Sequence, residues 1–105
     1  MRPTVTAGRT FRVYGKVRGV GYRTFARTCA RALGIAGWIA PGEGGSLIVR
    51  AEGTPERLAE FAFDLSRGAR FARVDRVEEE EAPARGLSGF EVLDEVPPED
   101  VDERG

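Results

Sequence analysis

The chain has 105 residues, 41% of them hydrophobic, with 16 Lys/Arg against 17 Asp/Glu. That length supports one domain around a single core, and no apolar run is long enough for a membrane span or, over residues 1–9, for a signal peptide, so a cytoplasmic protein is expected. The lone Cys29 has no internal disulfide partner, and the absence of histidine excludes Ser-His-Asp or Cys-His catalysis and a histidine-based metal site.

Charge nearly cancels overall but not along the chain. Residues 1–50 hold nine Lys/Arg and one acid, Glu43, whereas residues 51–105 hold seven Arg and sixteen acids. The first half should attract anions despite a net charge of −1.

Residues 1–8 read as a flexible N-terminal arm ahead of a domain spanning residues 9–93. Over residues 10–17, Phe11, Val13 and Val17 alternate with Arg12, Tyr14 and Lys16, the pattern of a strand buried on one face. Residues 22–33 follow as a helix, because Tyr22, Phe25, Ala26, Cys29, Ala30 and Leu33 fall on one apolar stripe and Gly34 suits its C-terminal end. Cys29 sits within that stripe and reads as core. A short strand over residues 35–40 carries Trp38 as a sheet anchor, and the Gly/Pro-rich residues 41–45 turn the chain. Residues 46–52 alternate again, with Leu47, Val49 and Ala51 on one face, and complete a hairpin.

Thr54 then caps a second helix, with Pro55 at its first position and Leu58, Phe61, Ala62 and Leu65 as its stripe, ending at Gly68. Residues 71–82 form the next strand. Val74 and Val77 break its alternation, which predicts a bulge, and Glu78 to Glu81 read as a solvated strand edge. Residues 83–88 turn the chain, residues 90–93 make a short last strand, and the acidic residues 94–105, with Pro97-Pro98, read as a disordered tail. The order predicts an α+β, ferredoxin-like βαββαβ sandwich: an antiparallel sheet with two helices on one face.

One stretch carries the chemistry. Residues 15–23 read G-K-V-R-G-V-G-Y-R, a strand-to-helix turn with three glycines. Gly19 and Gly21 allow conformations closed to other residues, and the turn's N–H groups, backed by the positive end of the next helix, can converge on an anion. Arg18 and Arg23 flank it, and a guanidinium grips phosphate or carboxylate through paired hydrogen bonds. The alternative is a plain tight turn. The spacing is neither the G-x-G-x-x-G of dinucleotide sites nor the G-x-x-x-x-G-K-(S/T) of a P-loop.

Over residues 11–93 the sequence resembles the acylphosphatases. That family's hallmark is G-x-V-Q-G-V-G-(F/Y)-R before a helix, followed by L-G-x-x-G-(W/Y)-V, matched here by residues 15–23 and by L-G-I-A-G-W-I. The runs A-E-G-T-P-E-R-L-A-E-F, G-A-R-F-A-R-V-D-R-V and G-F-E-V-L look like the remainder of the family. The resemblance implies a ferredoxin-like fold and hydrolysis of the carboxyl–phosphate bond of small acyl phosphates, without metal or cofactor. It also implies that the main chain of Arg18, Gly19, Val20, Gly21 and Tyr22 and the side chain of Arg23 bind the phosphoryl group, with inorganic phosphate as a further ligand.

This sequence departs from the family where W-V-x-N-x-x-D-G is usual. Pro41 stands in place of the asparagine that holds the attacking water and Gly44 in place of the aspartate, and the chain contains no asparagine at all. Proline offers neither a carboxamide nor an N–H. Arg18 replaces the usual glutamine. Glu43 could orient water as a base, but its carboxylate would be repelled by phosphate. Three functions therefore compete: an impaired acylphosphatase, a non-catalytic phosphate-binding domain, and an RNA-binding domain of the same topology. The last lacks the aromatic run that stacks bases, so no specific nucleic-acid partner is expected, and a monomer is.

Overall fold

A computed structural model of the chain describes residues 5–101. Its elements follow in the order β1 (Ala7–Lys16), α1 (Tyr22–Ala32), β2 (Ala36–Pro41), β3 (Leu47–Gly53), α2 (Pro55–Arg67), β4 (Arg73–Ala82) and β5 (Phe90–Val92). The strands make one sheet, ordered β4-β1-β3-β2-β5. Both helices lay their stripes on the face that carries Phe11, Val13, Leu47, Val49, Ala51 and Ile39. This is the expected ferredoxin-like α+β sandwich.

The sheet is mixed where an antiparallel one was expected. β1 runs antiparallel to β3 and β4, and β2 antiparallel to β3, but β5 is parallel to β2. The reason is the route: β4 points opposite to β2, so a connection from the end of β4 to the far edge can only return in the direction of β2.

Local chemistry explains the elements. α1 buries Tyr22, Ala26 and Ala30 completely, with Phe25, Cys29 and Leu33 packed half-buried beside them. It closes through Ile35 N donating to Ala30 O at 2.8 Å and Gly34 at φ 67°, a left-handed helix end. α2 starts where Thr54 Oγ1 accepts the Arg57 amide at 3.2 Å, and buries Leu58, Phe61 and Leu65. Phe61 stands edge-on between Phe11 and Phe90, at centroid distances of 6.0 and 5.9 Å. The break between Val74 and Val77 is a bulge. Tyr14 pairs with Arg76 and Gly15 with Val74, so Asp75 is the extra residue and both valines reach the helix-covered core.

Gly37, buried in β2, has φ 146°, and a Cβ there would stand 1.8 Å from the Arg50 carbonyl oxygen of β3. A backbone angle side chains avoid adds to a collision with a rigid strand. Gly37→Ala should therefore lower unfolding free energy by about 3 kcal/mol or more, read as a reduced urea midpoint with an unchanged m-value.

Chain from both ends of the predicted domain lies against the sheet. Ala7 and Gly8 already pair with Gly53 and Glu52, so β1 begins inside the predicted arm. Val96 and Leu93 pack on a cluster of Trp38, Ala40 and Ile48, residues 98–100 form a 3₁₀ turn, and Arg85 Nη2 lies 2.7 Å from Asp100 Oδ1. The acidic composition hid these spaced apolar residues, which close over the Trp38 ring. The remaining parts of the arm and tail, residues 1–4 and 102–105, lie outside the described residues.

On the sheet face that carries Trp38, Arg50 and Glu52, each 3% exposed, form a buried ion pair with Nη2 and Oε2 3.5 Å apart. Glu52 also accepts the amides of Arg85, Gly86 and Leu87 at 2.7, 3.1 and 3.1 Å, while Arg50 donates to the Pro83 carbonyl. The pair thus holds down the segment that crosses from β4 to β5. Folding lays the acids of β4 beside β1, with Arg9 3.3 Å from Glu79 and Tyr14 donating to Glu78 at 2.9 Å.

Candidate functional site

The turn between β1 and α1 is anchored at three points. Val17 before it and Tyr22 after it are each 1% exposed, and Val20 at its middle packs half-buried on the core. The Tyr22 hydroxyl donates to the Leu65 carbonyl at 2.7 Å, tying the first residue of α1 to α2, and burial pushes its pKa far above the ordinary phenol value. Tyr22 therefore offers the site its amide, not its hydroxyl. Gly19 and Gly21 have φ of 71° and 79°, and a Cβ at either would meet nothing within 4 Å. What selects glycine is the left-handed backbone rather than space.

Gly21 caps α1 without a side chain, the first turn of the helix holds no acid, and the first intrahelical bond runs from Phe25 N to Gly21 O at 3.0 Å. None of the amides from Arg18 to Thr24 donates to another group among the described residues. The positive end of α1 is thus uncompensated. Val17, Gly19, Gly21, Tyr22, Arg23 and Thr24 line an open concavity of about 120 Å³ at this end. Arg23 is half-buried in its wall and makes no ion pair or side-chain hydrogen bond among the described residues.

Arg18 is placed differently from the expectation that its side chain flanks an anion. Its guanidinium is exposed at the turn and reaches across to the next hairpin, where Nη2 donates to Gly42 O at 2.6 Å and Ser46 O at 3.0 Å. Neither Arg18 nor Val20 is among the residues that line the concavity. The residues Arg18 grips form a small self-bonded loop: Gly42 N donates to Ser46 O at 2.9 Å, and Ser46 donates to Glu43 O through N at 3.1 Å and Oγ at 2.5 Å. Pro41, the last residue of β2, sits opposite Leu47 at the neck of this loop and does not line the concavity. The Glu43 residue is exposed and does not line it either.

Sequence reasoning overlooked Thr24, whose place in the first turn of α1 puts it in the lining, although a hydroxyl residue two positions after the helix start was a readable signal. It also gave no role to Arg50 and Glu52, which alternate with the apolar residues of β3. Cys29 is half-buried against the core, and burial together with neighbouring Asp64 raises its thiol pKa, which makes it a packing residue and a poor nucleophile. Among the described residues no group of three or more His, Cys, Asp or Glu could hold a metal ion, and no helix is long and apolar enough to cross a membrane.

The comparisons with known proteins agree with this frame. A family model described as acylphosphatase matches residues 9–92. An acylphosphatase of Synechococcus sp. strain WH7803 is 40% identical over 92 residues, covering 87% of this chain and 92% of that protein. One from Thermus thermophilus is 44% identical over 80 residues, covering 76% of this chain and 91% of its own length. Among solved structures, the Bacillus subtilis acylphosphatase superposes with a TM-score of 0.80 at 27% identity, over 83% of this chain and 98% of that one. With the match running through β1, the glycine turn beside the concavity and α1, and on to β5, this chain belongs to the acylphosphatase family.

Proposed function

We propose that the protein hydrolyses the carboxyl–phosphate bond of small acyl phosphates, with the phosphoryl group seated on the residue 18–24 amides and the Arg23 side chain. The observation that carries this reading is the set of amides at the uncapped end of α1 that have no acceptor among the described residues, beside a concavity lined by a guanidinium that has no partner among them either. Water attacks phosphorus, the bond from phosphorus to the carboxylate oxygen breaks, and the carboxylate leaves with the electron pair. One water proton passes to solvent as phosphate forms. A carboxylic acid has an ordinary pKa near 4, so the leaving group needs no proton donor at neutral pH. Charge stabilisation and positioning are what remain for the protein to provide.

Positioning is where this chain falls short. Proline at residue 41 has neither a carboxamide nor an N–H to hold the attacking water, so turnover is slow relative to binding. Pro41 favours the second reading, a phosphate-binding domain without catalysis, over a fully active enzyme. Hydrolysis of acetyl phosphate by the purified protein separates the two. Pro41→Asn should raise kcat by about 10–100-fold while leaving the affinity for inorganic phosphate nearly unchanged. Phosphate binding without detectable turnover in either protein would leave the binding domain, and absence of phosphate binding would end both readings.

A further inference from the structure

We infer that Arg18 is a positioning residue: it clamps the residue 42–46 loop to the phosphate turn and so holds position 41 at a set place relative to the anion site. The geometry is specific. One guanidinium nitrogen, Nη2, reaches the two carbonyls on either side of the loop's neck, Gly42 O at 2.6 Å and Ser46 O at 3.0 Å. The same two residues are already joined by Gly42 N donating to Ser46 O at 2.9 Å. Arg18 thus closes a three-residue junction, with its own main chain in the turn and its side chain on the loop.

The neck needs such a tie. Pro41 and Leu47 are the last paired residues of the hairpin, and proline cannot donate a backbone hydrogen bond there. The loop beyond holds Gly42, Gly44 and Gly45, the last two with φ of 62° and 81°, so its backbone has little intrinsic stiffness. Its internal bonds fix its shape but not its position against α1. Among the described residues, the hydrogen bonds that span from this loop to the phosphate turn are those of Arg18. Charge-assisted bonds to two carbonyls are suited to that task, and they draw the guanidinium away from the anion rather than toward it.

The kinetic part of this inference rests on the acyl-phosphate reading, whereas the structural part does not. Arg18→Ala should speed amide exchange at Gly42 by about tenfold or more, without comparable change in the β3 amides of residues 48–50. It should lower kcat for acetyl phosphate by about tenfold and leave inorganic phosphate affinity within about threefold, because the amides and Arg23 remain. Arg18→Lys, whose ammonium can still reach two carbonyls, should recover most of the exchange protection. The gain from Pro41→Asn should also shrink when Arg18 is alanine, since a carboxamide on an untethered loop cannot hold water in line.

Exchange at Gly42 unchanged in Arg18→Ala would overturn the clamp, whatever the kinetics. A loss of phosphate affinity as large as the loss of kcat would overturn it too, and would make Arg18 an anion ligand. Intact exchange effects with no turnover in any variant would instead discard the catalytic reading and keep the clamp.

Discussion

Arg23→Ala should lower kcat/KM for acetyl phosphate by about 10²–10³-fold and weaken the binding of inorganic phosphate. The guanidinium is half-buried in the wall of the concavity and has no ion-pair or hydrogen-bond partner among the described residues, so removing it breaks no polar contact there. The melting temperature should therefore stay within a few degrees of the parent protein. A guanidinium offers a planar pair of donors to two phosphoryl oxygens, and these bonds tighten as charge spreads over the transferring group. Arg23→Lys restores the charge but not the fork, and should recover only part of the activity. Steady-state kinetics and phosphate titration followed by ³¹P NMR measure both quantities. Full activity in Arg23→Ala would remove Arg23 from the mechanism.

Glu52→Gln should destabilise the fold by about 3–5 kcal/mol, a large fraction of the 5–15 kcal/mol typical of such domains. The substitution leaves Arg50, 3% exposed, without its counter-charge. It also turns an amide NH₂ toward a site where Arg85, Gly86 and Leu87 all donate. Burial raises the Glu52 pKa, but the three amides and the Arg50 charge outweigh it and hold the carboxyl below the usual range. The sign of the pH dependence follows. A depressed carboxyl stabilises the folded state above its unfolded pKa, and that contribution fades as pH falls through the lower folded value. The stability difference between the parent and Glu52→Gln should thus be constant near neutrality and narrow in acid below the ordinary carboxylate range. Urea titrations at stepped pH test this. A difference independent of pH down to strong acid would show that Glu52 acts through shape alone.

How much of this was legible varied with the physics involved. Spacings of three and four placed both helices, because an apolar stripe has few alternatives once Thr54 and Gly34 mark the ends. The misfit of Val74 and Val77 was readable as a bulge, since a strand cannot otherwise put residues three apart on one face. The direction of β5 was not readable. Three residues look alike in parallel and antiparallel ladders, and the route of residues 83–89 decides between them. Arg50 and Glu52 alternate with apolar residues as solvent-facing positions do, so their burial depends on a later segment folding over them.

The site divided in the same way. The left-handed angles of Gly19 and Gly21 and the absence of acids at the start of α1 are local properties, and the sequence displays them. The direction of the Arg18 side chain depends on a loop more than twenty residues away. Long side chains choose partners by tertiary proximity, which one-dimensional spacing does not encode.

The sheet has two borders, and each resists extension in its own way. β5 is three residues long, too brief a template for a newcomer. β4 is ten residues long and mostly exposed, but it is bent by its extra residue at Asp75 and carries four consecutive glutamates, Glu78 to Glu81, before its last residue. A second molecule aligning there would have to strip water from those carboxylates while following a kinked backbone. Protonation removes only the first obstacle, so acid solutions are where uncontrolled strand addition, and the fibrous aggregates it seeds, would find this protein least defended.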